Sequence, residues 1–192
     1  MSVSGNQIIA RARTIATQMG TDANVSNVID AKGGLRALLN HTVREVFRRN
    51  AGNQNFIKDI NVLNTITMAS GVGALPDTVM RQFLKQADYQ DTNGSLITYF
   101  DYPIDSNSGQ NYTQLGYISV VGSNIYYTEP APGTSTSYSG ALYMTVPSFP
   151  VFPASMASAI PLPVEVVDDV VLLLARALRG EAVFSRVDTP HV

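Results

Sequence analysis

Pro163–Gly180 reads PVEVVDDVVLLLARALRG, and this stretch carries the signals of a complete helix. Pro163 suits the first helical position, where the missing N–H of proline costs no hydrogen bond. Gly180 suits the left-handed position that ends a helix. Acidic residues lie toward its N-terminal end and arginines toward its C-terminal end, as the helix dipole favours. These are Glu165, Asp168, Asp169, Arg176 and Arg179. The stretch therefore predicts one well-bounded helix.

The apolar stripe of this helix is too wide for a helix that lies alone on a surface. Two N-terminal stretches share its helical period, one from Asn6 or Gln7 to Met19 and one over Ala31–Arg49. The Gly33–Gly34 pair weakens the start of the second, which then begins near Leu35. We expect the three helices to share a core. Its predicted members are Leu35, Leu39, Val43, Val46, Val166, Val170, Leu173, Leu174 and Leu178.

After Phe56 the apolar period changes from helical to alternating, which predicts a strand from Ile60 that ends at Ser70–Gly73. Val79–Gln90 fits either period, and its second half favours a strand. Gly122-Ser123 predicts a hairpin turn. The further predicted strands are Ser95–Phe100, Gln114–Val121, Asn124–Thr128 and Gly140–Val146. Pro147–Pro163 carries five prolines and predicts an extended connector.

These elements predict an α+β fold. Residues 1–58 and 162–180 form a helical layer. Residues 59–161 form an inserted antiparallel sheet or small barrel with a proline-rich return. Residues 181–192 follow as a C-terminal arm.

Charge is unevenly distributed along the 192 residues, although the net charge is only −2. Residues 1–85 carry ten Lys or Arg against five acids, and residues 86–175 carry eight acids and no Lys or Arg. Such segregation bears on partners and self-association. The absence of cysteine excludes disulfides and thiolate metal sites. We find no signal-peptide pattern and no apolar run long enough to span a bilayer, so we expect an intracellular product without a membrane anchor.

Residues that could carry chemistry are few. His41 precedes Glu45 by one helical turn, which fits an acid–base pair or, in our preferred interpretation, a surface pair. Asp168 and Asp169 are adjacent on a helix and point about 100° apart, so they cannot chelate one ion together. No complete phosphate-binding loop or nucleophile elbow is present. We therefore expect no catalytic, metal or cofactor site and no enzymatic activity.

Two residue groups favour binding. The arginines Arg44, Arg48 and Arg49 crowd one helix end, either as a solvated terminus or as an interface. All nine tyrosines lie between Tyr89 and Tyr143, where they fit sheet packing, protein contacts, or glycan or receptor binding. Single-stranded nucleic-acid binding needs neighbouring Lys or Arg, which this region lacks.

The order of elements carries a resemblance. Leucine-faced helices precede a strand that runs into Leu75-Pro76, and a hairpin follows over Tyr117–Tyr127 (YISVVGSNIYY). Then come P-x-x-G loops, a strand ending in Pro147 and a closing helix over Leu162–Ala175. Over roughly Ala31–Gly180 this series resembles the head-to-tail connector proteins of tailed bacteriophages, also called adaptor, tail-tubular or head-completion proteins.

The resemblance implies a structural virion protein that forms a ring, typically of twelve copies, between portal and tail. Its partners would be other copies, the portal protein, and tail or tail-terminator proteins. Viral DNA would pass through the lumen without sequence recognition, in a neck assembled in the host cytoplasm. Candidate interface residues are Arg44, Arg48, Arg49, Tyr117, Tyr126, Tyr127, Phe184 and Arg186. The alternative is a tyrosine-rich β-module that binds a glycan or receptor as part of a tail structure.

Overall fold

A computed structural model describes residues 3–18, 34–99, 117–128 and 138–181. In chain order the elements are β1 (Val3–Ser4), α1 (Gly5–Gln18), α2 (Gly34–Arg49), α3 (Gln54–Asp59), β2 (Asn61–Met68), β3 (Val72–Ala74), a 3-10 helix (Arg81–Gln86), β4 (Asp88–Gln90), β5 (Leu96–Tyr99), β6 (Tyr117–Val121), β7 (Asn124–Thr128), β8 (Gly140–Pro147), β9 (Ala159–Ile160) and α4 (Val164–Leu178). The predicted α+β class is confirmed.

The chain divides into two compact units. The helical unit comprises Met1–Asp59 and Phe149–Val192, and the barrel unit comprises Ile60–Ser148. Both termini therefore belong to the helical unit, and the barrel unit is a single insertion into it.

In the helical unit, α4 packs against both α1 and α2. All nine predicted core residues are buried, and α1 adds Ile8, Ile9, Ala12 and Ala16 to the same core. Two neighbouring helices thus account for the wide stripe of α4. Among the helices that the structure describes, none is long and apolar enough to cross a membrane.

The ends of α4 are set by backbone geometry. Pro163 is the N-cap, with φ −55° and ψ 140°, and not the first helical residue as predicted, because the extended chain turns into the helix only after it. Gly180 has φ +77°, the left-handed conformation expected of it. The N–H of Gly180 donates to the carbonyl of Ala177 at 3.0 Å, and the N–H of Glu181 donates to that of Arg176 at 3.2 Å. These two bonds form a Schellman motif, which caps the helix.

Residues 149–161 belong to the helical unit, whereas the sequence placed them in the β-rich insertion. Three local contacts explain the difference. Strand β9 pairs antiparallel with β1. The Arg36 guanidinium donates to the carbonyls of Pro153 at 2.8 Å and Ala154 at 3.2 Å. The ring of Phe149 lies 6.1 Å from that of Phe47.

The short helix α3 was not predicted. The side-chain oxygen of Asn53 accepts the N–H of Asn55 at 3.0 Å, which caps its first turn. Phe56 on α3 is buried and meets Phe47 edge-to-face at 5.1 Å between ring centroids. One aromatic contact and one cap therefore hold six residues in a helix too short to show a clear period.

The barrel unit has the strand order β2-β8-β4-β5-β6-β7-β3. Its two ends meet through a bridge between Ala69 and Val72, so the sheet is a nearly closed barrel, one of the two predicted forms. The sheet is mixed and not wholly antiparallel, because β5 and β6 pair in parallel. Parallel neighbours need a connection of about a dozen residues or more. Residues 100–116 provide that length and lie outside the described residues.

Alternating side chains fill the barrel interior, as expected for strands with one buried face. Members of this core include Ile66, Met68, Ile118, Ile125, Leu142, Met144 and Val146. The hydroxyl of Tyr89 donates to the carbonyl of Leu84 at 2.7 Å, and burial, followed by repulsion from Tyr99, raises the pKa of Tyr89. The predicted hairpin joins β6 to β7, with Gly122 in the turn at φ +59°.

Candidate interaction surfaces

The first candidate surface is the arginine cluster, which we define as Arg44, Arg48, Arg49, Glu45 and Phe149. Arg49 Nε donates to Glu45 Oε1 at 3.0 Å, and Arg48 lies 3.9 Å from Glu45 Oε2. The guanidinium groups of Arg44 and Arg48 lie 5.0 Å and 5.8 Å from the centroid of the Phe149 ring. Each stacked guanidinium is stabilised by about 0.5–1 kcal/mol at an exposed site.

Helical spacing explains this cluster. Positions 45, 48 and 49 are three and four residues apart on α2, so their side chains share one face. Glu45 is buried, which corrects the interpretation of His41 and Glu45 as a surface pair. Three arginines and one glutamate leave a net charge of +2 on the cluster. The result is a cationic surface whose side chains are held in place by a buried carboxylate and an aromatic ring.

A groove of about 260 Å³ lies beside the cluster, between α2 and α4. Its residues are Val46, Arg49, Asn50, Asp169, Leu172, Leu173 and Arg176. Leu172 is exposed, whereas Leu173 and Val46 are buried. The groove therefore combines an apolar floor with two arginines and one aspartate at its rim, which suits a protein ligand better than an apolar small molecule.

The two adjacent aspartates of α4 face different neighbours. Asp168 accepts a hydrogen bond from Arg11 of α1 at 2.6 Å, while Asp169 lines the groove beside α2. This divergence follows from the 100° step between adjacent helical positions. Across the described ranges, no three histidine or carboxylate side chains come close enough to hold a metal ion.

The second candidate surface is the outer face of β6 and β7. Tyr126 pairs with Ser119, so their side chains share one face of the hairpin, and Tyr117 lies on the same face. Ser119 is buried on that face. Tyr126 is exposed and Tyr117 half-buried. The prediction of Tyr127 as an interface residue is wrong, because strand alternation turns its side chain inward. There it is buried and meets Tyr138 edge-to-face at 4.7 Å between ring centroids.

The remaining two candidate interface residues, Phe184 and Arg186, lie outside the described residues. Sequence reasoning missed Glu45 and Phe149 as parts of the arginine cluster. Glu45 precedes Arg48 by three residues and Arg49 by four, and this helical spacing could have predicted its place in the cluster. No local pattern marks Phe149, whose position depends on the return of residues 149–161 to the helical unit.

The two units differ in net charge, although less sharply than the two halves of the sequence. Counted over its full sequence range, the helical unit has eleven basic and nine acidic residues, a net charge of +2. The barrel unit has two basic and six acidic residues, a net charge of −4. The difference shrinks because Glu165, Asp168 and Asp169 belong to the helical unit.

No protein-family model matches this sequence, and a search of curated proteins finds no match. Function must therefore be inferred from the order of the elements and from these two surfaces.

Proposed function

We propose that this chain is a structural subunit of the neck of a tailed bacteriophage, where copies form a ring-shaped adaptor between portal and tail. The observation that carries the proposal is the arrangement of the chain. It leaves the helical unit once, after Asp59, builds a nearly closed barrel, and returns once at Phe149 to close the helical core with α4. This is the series of elements on which the resemblance to connector proteins depends.

A ring of identical copies needs two different surfaces on each copy, because each heterologous contact joins one surface to the other. Two units of opposite net charge supply such a pair. The arginine cluster offers a cationic surface on the helical unit, and the acidic barrel unit of a neighbour complements it. Charge complementarity of this kind contributes more to the choice of partner and to the register of the interface than to its affinity.

The composition of the barrel unit also suits a DNA passage. Proteins bind the phosphate backbone through Lys and Arg. The barrel unit carries only two basic residues, Arg81 and Lys85, against six acids. If it lines the lumen, it repels the phosphates and lets DNA slide without sequence recognition.

In this proposal the chain binds the portal protein on one side and tail or tail-terminator proteins on the other. It becomes part of the virion neck after assembly in the host cytoplasm. Its role in packaging and retaining the genome is structural and needs neither a catalytic group nor a cofactor.

A glycan- or receptor-binding module is the second candidate, and Tyr126 is the observation that favours it. Stacking of a sugar needs aromatic rings that are open to solvent on one face. Among the described tyrosines only Tyr126 is exposed, while Tyr89, Tyr127 and Tyr138 are buried and the others half-buried. This favours the connector over the glycan-binding module.

The test is to purify the chain and examine it by analytical ultracentrifugation and negative-stain electron microscopy, alone and with the portal protein of the same genome. We expect closed rings that bind the portal. We expect Arg48→Gln to weaken ring assembly and the matched variant Lys58→Gln, at an exposed lysine on α3, to leave it unchanged. A chain that never associates with portal, yet binds a glycan array, would overturn the proposal.

A further inference from the structure

Within the described residues, no strand pairs with the outer edge of β2 over positions 61–65. The N–H of Ser148 donates to the carbonyl of Ile60 at 3.0 Å, which fixes the phase of hydrogen bonding between β2 and β8. In an antiparallel pair, backbone groups alternate between the two sides of a strand. The N–H and C=O groups of Asn61, Leu63 and Thr65 therefore point away from β8.

Nothing in the described residues pairs with this edge before the Ala69–Val72 bridge further along the strand. None of the described hydrogen bonds uses the outward backbone groups of positions 61, 63 and 65. Natural edge strands are usually protected by charged side chains, proline or a covering segment. This segment reads NVLNT, without charge or proline, and Leu63 is 60% exposed and Val62 47% exposed.

We propose that this edge binds a second copy of the chain through antiparallel pairing of β2 with β2. The two-fold axis passes between Leu63 and Leu63 of the second copy. Asn61 then lies opposite Thr65 of the second copy, and the reverse pair follows by symmetry. The three hydrogen-bonded pairs contribute roughly six hydrogen bonds, two for each pair.

A second copy fits this edge because the edge is self-complementary. Both strands offer donors and acceptors at the same spacing, and an uncharged segment places no like charges opposite each other. The two Leu63 side chains lie side by side on one face, with Cα atoms about 5.5 Å apart. On the other face Val62 meets Asn64 of the second copy. An interface with two-fold symmetry of this kind is isologous, so it closes at two copies.

The affinity expected of the β2–β2 contact depends on the area of the interface and on the charge of the two barrel units. A pair of five-residue strands is smaller than a standard interface of about 1,600 Å² in total, so the contact is weak and concentration-dependent. The barrel units carry −4 each, and their repulsion is screened by salt. Added salt should therefore favour the pair. This inference is separate from the proposed function, because the contact needs neither portal nor ring.

Single-cysteine variants test the register, because the chain has no cysteine of its own. Cα atoms about 4.4–6.8 Å apart permit a disulfide. Under mild oxidation we expect two copies of the Leu63→Cys variant to form a disulfide with each other. We expect Asn61→Cys and Thr65→Cys to cross-link when mixed, at least about tenfold faster than either alone. Leu96→Cys is the control, since Leu96 is 69% exposed on β5, which has a neighbouring strand on each side.

Sedimentation equilibrium up to millimolar protein tests the contact itself. We expect Leu63→Lys to raise the dissociation constant of the dimer at least tenfold and Leu96→Lys to leave it within about twofold. Leu63→Pro should act like Leu63→Lys without unfolding the barrel, since the lost N–H points outward. A wild-type chain without dimers throughout, an undisturbed dimer in Leu63→Lys, or equal loss in both lysine variants would each overturn the proposal.

Discussion

Substitution of Gly73 by alanine tests how the barrel closes. Gly73 is the central residue of β3, which crosses close to β2. A β-carbon at this position would lie 2.6 Å from Ile66 Cγ2 and 2.6 Å from Met68 Sδ, and 3.0 Å from the carbonyl oxygen of Thr67. Only the methionine end can move freely, because Ile66 is β-branched and Thr67 contributes backbone. We therefore expect Gly73→Ala to force β3 away from β2.

The expected change in the free energy of unfolding on Gly73→Ala is the sum of two opposing effects. Overpacking of a well-packed core costs about 1–3 kcal/mol. Alanine also lowers the conformational entropy of the unfolded chain relative to glycine, which stabilises the folded state by about 0.4–1 kcal/mol. The net expectation is a loss of about 1–2 kcal/mol in the free energy of unfolding of the barrel unit. In a domain of this size, each kcal/mol lost from the free energy of unfolding lowers the thermal midpoint by about 4–8 °C.

The tyrosines provide a selective assay. The chain has no tryptophan, and all nine tyrosines lie in the barrel unit. Tyrosine fluorescence therefore reports unfolding of the barrel, while circular dichroism at 222 nm is dominated by the helical unit. We expect Gly73→Ala to lower the fluorescence midpoint by at least about 4 °C. Gly52→Ala is the control, because a β-carbon there meets nothing within 4 Å. An unchanged fluorescence midpoint in Gly73→Ala would refute the close approach of β3 to β2.

Three further substitutions, the first with a matched control, test other parts of the fold. Tyr138→Phe removes a buried hydroxyl that donates to a backbone carbonyl at 2.7 Å, and should lower the free energy of unfolding by about 0.5–1.5 kcal/mol by tyrosine fluorescence. The exposed Tyr126→Phe should change it by less than about 0.5 kcal/mol. Glu45→Gln removes the buried charge between two arginines and should lower the free energy of unfolding by about 1–3 kcal/mol. Denaturant titrations followed by circular dichroism at 222 nm measure this loss. An unchanged denaturation midpoint would show that the arginines do not stabilise the carboxylate. A hydrogen bond from Arg176, followed by the charge of Arg179, holds the pKa of Glu181 below its usual 4.5. A lowered folded-state pKa stabilises the fold above the unfolded-state value and loses that effect as pH falls. Glu181→Gln should therefore lower the thermal midpoint at pH 7 and match wild type near pH 2, and an equal difference at both pH values would contradict this assignment.

The parts of the fold that were predictable are those specified by local sequence. The helix α4 has its stop signal at Gly180 and its own apolar period, and the hairpin at Gly122-Ser123 combines a turn with flanking alternation. Such features need no knowledge of distant residues. The burial of the nine predicted helical core residues follows from the same periodicity.

The parts that sequence reasoning missed depend on contacts between distant residues. The proline-rich composition of residues 149–161 fits a connector in either unit. Only the pairing of β9 with β1 and the hydrogen bonds from Arg36 assign the segment to the helical unit. The parallel pairing of β5 and β6 depends on the path between them. Tyr126 and Tyr127 are neighbours of one residue type, so only the register of β7 decides which one faces outward.

Glu45 connects stability to the proposed interface. A buried carboxylate loses hydration, and its pairing with arginines often only balances that cost. Apolar residues in place of a whole buried ion pair are often no less stable, so stability alone does not explain a carboxylate at this position. What the carboxylate adds is fixed geometry, since Arg48 and Arg49 are held by it and Arg44 and Arg48 by Phe149. Ordering a long side chain on binding costs about 0.5–1.5 kcal/mol. Arginines that are already ordered avoid much of this cost, which is the property expected of an interface in the ring that we propose.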